Sequence, residues 1–213
     1  MKNIFFILIA TVVIFFAFSA ENFAQMKQSE SFLKNRANFE TTVAGITLMN
    51  EESARRVLEN SLQFSVTPEG KAVRTLYNMH GTQVMVLTAD DPEKPFSITG
   101  IEVYRVGPSY RKLHVVMDKT PDFETESNLV VGARASWITG MRRTVSPKDL
   151  VKMLGEPNEK VKKDNKREVY VYDIADEASL GNINAARYHA EYTFYKNELV
   201  RFKFSAVPKT FKF

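Results

Sequence analysis

The sequence predicts an α+β protein built from two tandem helix-plus-antiparallel-meander repeats that pack together. Three observations support this fold class. Two short amphipathic segments begin with helix-capping residues, several strand-like segments follow each of them, and equivalent positions in the two segments lie 96 residues apart. Such a regular offset indicates an internal duplication. The predicted divisions are a signal peptide (1–24), a flexible lead-in (25–38), a first repeat (39–120) and a second repeat (121–213).

The N-terminal segment has the composition of a secretory signal. Lys2 precedes the stretch Ile4–Phe18, which is apolar except for Thr11. This stretch is shorter than the roughly 20 residues that a membrane-spanning helix needs. Small residues follow it, so we expect cleavage after Ser19, Ala20 or Ala24 and export to the periplasm or the extracellular space. Because the chain has no cysteine, we expect no lipid anchor, and no integral membrane segment should remain after cleavage.

Composition and charge exclude several classes of function. The absence of cysteine excludes disulfide scaffolds, cysteine-ligated metal centres and thiol nucleophiles. Residues 25–120 carry 12 basic and 11 acidic side chains, and residues 121–213 carry 16 and 13. A protein that binds nucleic acid would concentrate its positive charge. We therefore expect no nucleic-acid partner.

The first helix is predicted to begin after Asn50. Its amide side chain can cap the helix, and Glu51 and Glu52 lie at the positive end of the helix dipole. Apolar residues then recur at helical spacing, at Ala54, Val57 and Leu58.

The second helix is predicted to begin after Ser146. Pro147 suits the first helical position, and Asp149 can complete a capping box with Ser146. The apolar stripe recurs at Leu150, Met153 and Leu154, and Gly155 ends the helix.

Period-2 alternation predicts three strands after each helix. In the first half they are Val73–Tyr77, Thr82–Thr88 and Ile98–Val106, and in the second half they are Glu168–Ile174, Arg187–Tyr195 and Leu199–Ser205.

The segments Val145–Pro157 and Tyr192–Val200 resemble a known family. A capped helix that ends in Leu-Gly-x-Pro, followed by strands that close with Phe-Tyr-Lys-Asn-Glu-Leu-Val, is similar to the SmpA/OmlA (BamE-like) outer-membrane assembly lipoproteins. It is also similar to the fold of β-lactamase inhibitory protein, in which two such units occur in tandem. The second half matches this pattern better than the first. The resemblance implies a non-catalytic envelope protein that holds a partner on a sheet face.

Strand alternation in the second half predicts which side chains form that face. Val169, Val171, Phe202 and Phe204 are assigned to the buried side. The opposite side is then the candidate partner-binding face, formed by Tyr170, Tyr172, His189, Tyr195, Arg201 and Lys203. Tyrosine and arginine are enriched at interface hot spots, so we expect an envelope or extracellular protein, or a glycan, to bind there. The alternative is that this face packs against the other repeat.

No pattern in the sequence indicates catalysis. There is no Gly-rich phosphate loop, nucleophile elbow or zinc-protease motif. Among the three histidines, His80, His114 and His189, only His189 has a neighbour at ligand spacing, Glu191, and this half of a metal site lacks the further ligands that a metal needs. We therefore expect no enzyme activity, no metal and no cofactor.

Two other functions stay open at this point. The ten phenylalanines after residue 24 suit a lipid or small-molecule carrier of the periplasm. The C-terminal sequence Lys209–Phe213, in which aromatic residues alternate, is typical of small outer-membrane β-barrels.

Overall fold

The computed structural model describes residues 35, 38–59, 63–77, 83–105, 145–174 and 185–208. Of these residues, 51% lie in strands and 15% in helices. The helices are α1 (Glu51–Val57) and α2 (Pro147–Leu154). The strands are β1 (Thr42–Val43), β2 (Ile46–Thr47), β3 (Ser65–Val66), β4 (Ala72–Tyr77), β5 (Gln83–Ala89), β6 (Gly100–Arg105), β7 (Glu159–Lys162), β8 (Arg167–Ile174), β9 (Ala185–Tyr195) and β10 (Glu198–Pro208).

Strands β3 to β10 form one continuous antiparallel sheet. Their order is β3-β4-β5-β6-β10-β9-β8-β7, and β1 and β2 form a separate two-stranded hairpin. The centre of the large sheet is the pairing of β6 with β10, in which Val103 lies opposite Phe202 and Ile101 opposite Phe204. Strands that are about 100 residues apart in sequence are therefore neighbours.

The prediction of an α+β fold with two helix-plus-meander repeats is wrong, because the described chain is mostly antiparallel β-sheet. The physical reason is the pairing of β6 with β10. It joins the strands edge to edge, so that a single apolar sheet face runs through both halves. The helices have only 7 and 8 residues, and they cover part of this face. The domain boundary after residue 120 and the signal peptide lie outside the described residues.

The local predictions for the helices are confirmed. The Asn50 side chain accepts a hydrogen bond from the backbone N–H of Ser53 at 2.9 Å. Ser146 and Asp149 form a capping box, with Pro147 at the start of the helix. Both signals are local, because a cap satisfies the unpaired N–H groups of the first turn.

The core lies on one face of the sheet, called here the inner face. One row of this face crosses six strands through Leu76, Met85, Val103, Phe202, Tyr192 and Tyr170. The helices contribute buried side chains to the same core, including Ala54 and Leu150. Burial of apolar area of this kind is the main stabilising contribution to folding.

Residues 38–48 also cover the inner face. The Phe39 ring packs edge-on against Tyr172 and Tyr188, with centroid distances of 5.5 and 5.8 Å. The Asn38 side chain donates a hydrogen bond to the carbonyl oxygen of Met153 at 2.8 Å. This segment therefore ties the beginning of the described chain to its second half.

No helix within the described ranges is long and apolar enough to span a membrane.

Candidate functional site

The opposite face of the sheet, called here the outer face, carries the charged side chains. Its central row runs through Thr75, Val86, Glu102, Lys203, Glu191, Val171 and Glu159. Lys203 therefore has a glutamate directly opposite it on each neighbouring strand. Most side chains of this row are half-buried, as expected for residues on a pleated surface.

Three polar contacts hold the charges of the outer face in place. Arg201 Nε donates a hydrogen bond to Glu102 Oε1 at 2.8 Å. His189 Nε2 lies 3.2 Å from Glu191 Oε1. Arg187 forms a two-point contact with the carboxylate of Asp173, in which its Nε donates to Oδ1 at 2.7 Å and its terminal NH₂ group donates to Oδ2. Planar pairs of this kind fix orientation as well as distance.

The hydrogen bonds from Arg187 keep the pKa of Asp173 below its usual value, and the nearby His189 acts in the same direction. Asp173 is therefore an anion at neutral pH.

Lys203 differs from its neighbours, because within the described ranges its amino group makes no ion pair. We call Glu102, Asp173, Arg187, His189, Glu191, Arg201 and Lys203 the polar stripe.

Four of the six predicted site residues lie on this side of the sheet. His189, Arg201 and Lys203 belong to the polar stripe. Tyr195 lies at the end of β9 and is 37% exposed.

The placement of Tyr170 and Tyr172 on the outer face is wrong. They are only 8% and 3% exposed. The register explains the error, because Tyr170 lies opposite the buried Tyr192 and therefore shares its face. Tyr172 also donates a hydrogen bond to the carbonyl oxygen of Gly155 at 2.8 Å, and burial raises its pKa.

Sequence reasoning did not select Glu102, Asp173, Arg187 and Glu191 as site residues. Glu102 reaches the stripe only through the pairing of β6 with β10, which no local pattern reveals. Asp173 and Arg187 lie on strands that were predicted correctly, and the spacing from Arg187 to His189 and Glu191 was the available signal.

The polar stripe pairs charges with each other and directs no nucleophile and base at a common point. Among the described residues, no group of three or more His, Asp or Glu side chains is placed to hold a metal ion. His80, His114 and the C-terminal Lys209–Phe213 lie outside those residues. The stripe is thus an ordered array of hydrogen-bonding groups on paired strands.

Comparison with known proteins gives no match. No family model matches the chain, and neither the curated proteins nor the solved structures yield one.

Proposed function

We propose that this protein is a non-catalytic binding protein of the cell envelope, exported by its N-terminal segment, and that its polar stripe holds a protein partner. The observation that carries the proposal is the row Glu102–Lys203–Glu191, in which half-buried charges of both signs alternate on adjacent strands. Mixed charges in a fixed order favour one partner register and disfavour others.

The charges of the stripe support a protein partner rather than an anionic polymer. Three cations, Arg187, Arg201 and Lys203, are matched by three carboxylates, Glu102, Asp173 and Glu191. A polymer with charges of one sign would meet as much repulsion as attraction on this surface. A folded protein can instead present both signs in complementary order.

The contacts within the stripe also lower the entropic cost of binding. Arg201 and Glu102 are already held by their hydrogen bond, so less side-chain freedom is lost on association. Lys203 makes no ion pair among the described residues, so it is the side chain best placed to contact a carboxylate of the partner.

The test is site-specific photo-crosslinking in envelope extracts. A photoreactive residue replaces Thr193, which lies opposite Arg201 on the outer face. The control carries the same group at Arg56, an exposed residue of α1 on the other side of the sheet. We expect a discrete crosslinked product only from position 193, and mass spectrometry then identifies the partner.

Competition with unlabelled protein tests whether the stripe is responsible. Lys203→Gln should compete about tenfold less well than wild type, a loss of roughly 1.4 kcal/mol, whereas the matched variant Lys152→Gln should compete normally. Equal crosslinking from both positions, or equal competition by both variants, would contradict the proposal.

A further inference from the structure

The described turns at the two ends of the sheet differ in charge. At one end, the turns β7–β8 and β9–β10 carry five exposed cations. We call these cations the basic end: Lys162, Lys163, Lys166, Arg167 and Lys196. Asp164, Glu168 and Glu198 are the acidic residues of these turns. At the other end, residues 67–71 and 90–97 carry four carboxylates and two lysines.

The backbone brings the two basic turns together. The register places Arg167 opposite Tyr195, which in turn lies opposite Glu198. The backbone N–H of Lys196 donates a hydrogen bond to the carbonyl oxygen of Lys166 at 2.8 Å. The basic end is therefore one surface on two docked turns.

Both turns have a defined shape. Asp164 Oδ1 accepts hydrogen bonds from the backbone N–H groups of Lys166 and Arg167, each at 2.8 Å. Lys196 and Asn197 both have positive φ, at 52° and 64°, as in the two-residue hairpin turn that matches strand twist.

Most cations of the basic end form no ion pair among the described residues, although Glu168 lies opposite Lys162 in the strand register. Arg167 lies 3.7 Å from Asp164, but within the described ranges Lys162, Lys163, Lys166 and Lys196 form no ion pair. The Lys196 amino group lies 5.5 Å from the centre of the exposed Tyr195 ring. These cations are thus available to an external anion.

We propose that the basic end binds an acidic polysaccharide chain. The cations extend over the width of strands β7 to β10, a distance of about 14 Å at normal strand spacing. A single small anion cannot reach across this whole width, whereas a chain with repeated carboxylate or sulfate groups can. Tyr195 adds a flat apolar surface with a polar tip, which suits contact with a sugar ring.

Other occupants fit this end of the sheet less well. Among the described residues, the exposed large apolar side chains are Val66, Tyr195 and Val207, and only Tyr195 lies beside the cations of the basic end. A folded protein presents charges of both signs, whereas the cations of the basic end have one sign, and insertion into a bilayer needs a larger apolar face. The predicted export, on which this choice depends, disfavours nucleic acid.

The test is affinity electrophoresis of the full chain through gels that contain polygalacturonate. The variant Lys163→Gln/Lys166→Gln/Lys196→Gln removes three cations of the basic end. The control Lys71→Gln/Lys94→Gln/Lys152→Gln changes the net charge equally at other places. At low salt, we expect wild type and control to bind alike, and the triple variant to bind at least about tenfold more weakly. Binding by wild type should weaken steeply as salt is raised.

Two further measurements keep the test decisive. The variant Lys163→Arg/Lys166→Arg/Lys196→Arg should retain binding, which separates loss of charge from loss of folding. Vesicles rich in phosphatidylglycerol and a single-stranded oligonucleotide are titrated at the same salt. Tighter binding to either one, no retardation of wild type, or equal retardation of the two glutamine variants would overturn the proposal.

Discussion

The hydroxyl of Tyr188 donates a hydrogen bond to the carbonyl oxygen of Glu40 at 2.8 Å, joining residues that are 148 positions apart. Both residues are buried, at 1% and 7% exposure. This contact and the Phe39 ring beside it fasten the first described residues to the inner face of β9.

Removing this hydroxyl should destabilise the fold. In Tyr188→Phe, the buried carbonyl of Glu40 loses this hydrogen bond, which lowers the free energy of unfolding by about 1–2 kcal/mol. Chemical denaturation of wild type and variant measures the change in the free energy of unfolding. An unchanged midpoint would mean that the hydrogen bond contributes nothing to stability.

The neighbouring Tyr192 should behave in the opposite way. Its hydroxyl is buried, and no other described residue lies in hydrogen-bonding geometry to it, although the Tyr188 hydroxyl is nearby. An unsatisfied buried hydroxyl is unfavourable, so Tyr192→Phe should be neutral or stabilise the protein by up to about 1 kcal/mol. The same denaturation experiment applies, with Tyr188→Phe as the matched comparison. A loss of more than about 1 kcal/mol would show that the hydroxyl is bonded.

Alanine variants of Tyr172 and Arg201 should differ in stability, because Tyr172 belongs to the core and Arg201 to the outer face. Tyr172→Ala removes a core side chain, since the residue is only 3% exposed. It should lower the free energy of unfolding by about 3–5 kcal/mol. Arg201→Ala loses a half-exposed pair with Glu102 and should cost less than about 1 kcal/mol. Comparable losses of stability for the two variants would contradict the assignment of faces.

Asp173 should make stability depend on pH in the acidic range. Its pKa is lowered in the folded state by Arg187, so its contribution is present above the unfolded pKa near 3.9 and is lost as pH falls through the folded value. Asp173→Asn should therefore melt below wild type at pH 6, and the gap should close as the pH falls below 4. A gap that widens on acidification would reverse the sign and exclude this explanation. Glu93→Gln, at an exposed carboxylate that forms no ion pair among the described residues, controls for general charge effects.

Local features could be predicted from the sequence, and non-local ones could not. Ser146 and Asn50 were recognisable because a cap and its helix are adjacent in sequence. The six predicted strands correspond to β4, β5, β6, β8, β9 and β10. The short β3 and the charged β7 lack an apolar alternation, so they were missed. The joining of the halves depends on the register of Phe202 with Val103, which is a property of the whole sheet.

The error over the two faces has a specific cause. Around Tyr170 the strand is apolar at both parities, because Val169 and Val171 flank it. The prediction placed the valines in the interior because they are more hydrophobic than tyrosine. The larger tyrosine rings fill more of the core instead. The Tyr170 and Phe194 rings pack edge-on at 5.3 Å. Aromatic packing across strands thus determined the face.

The last described strand, β10, occupies the middle of the sheet. During synthesis or translocation, about a hundred further residues follow β6 before its neighbouring strand β10 is available for pairing. Throughout that interval the earlier strands present an unpaired hydrogen-bonding edge, which is a hazard for aggregation. Closure over such a distance along the chain also slows folding. The newly emerging polypeptide should therefore depend on holding chaperones until β10 is free to pair.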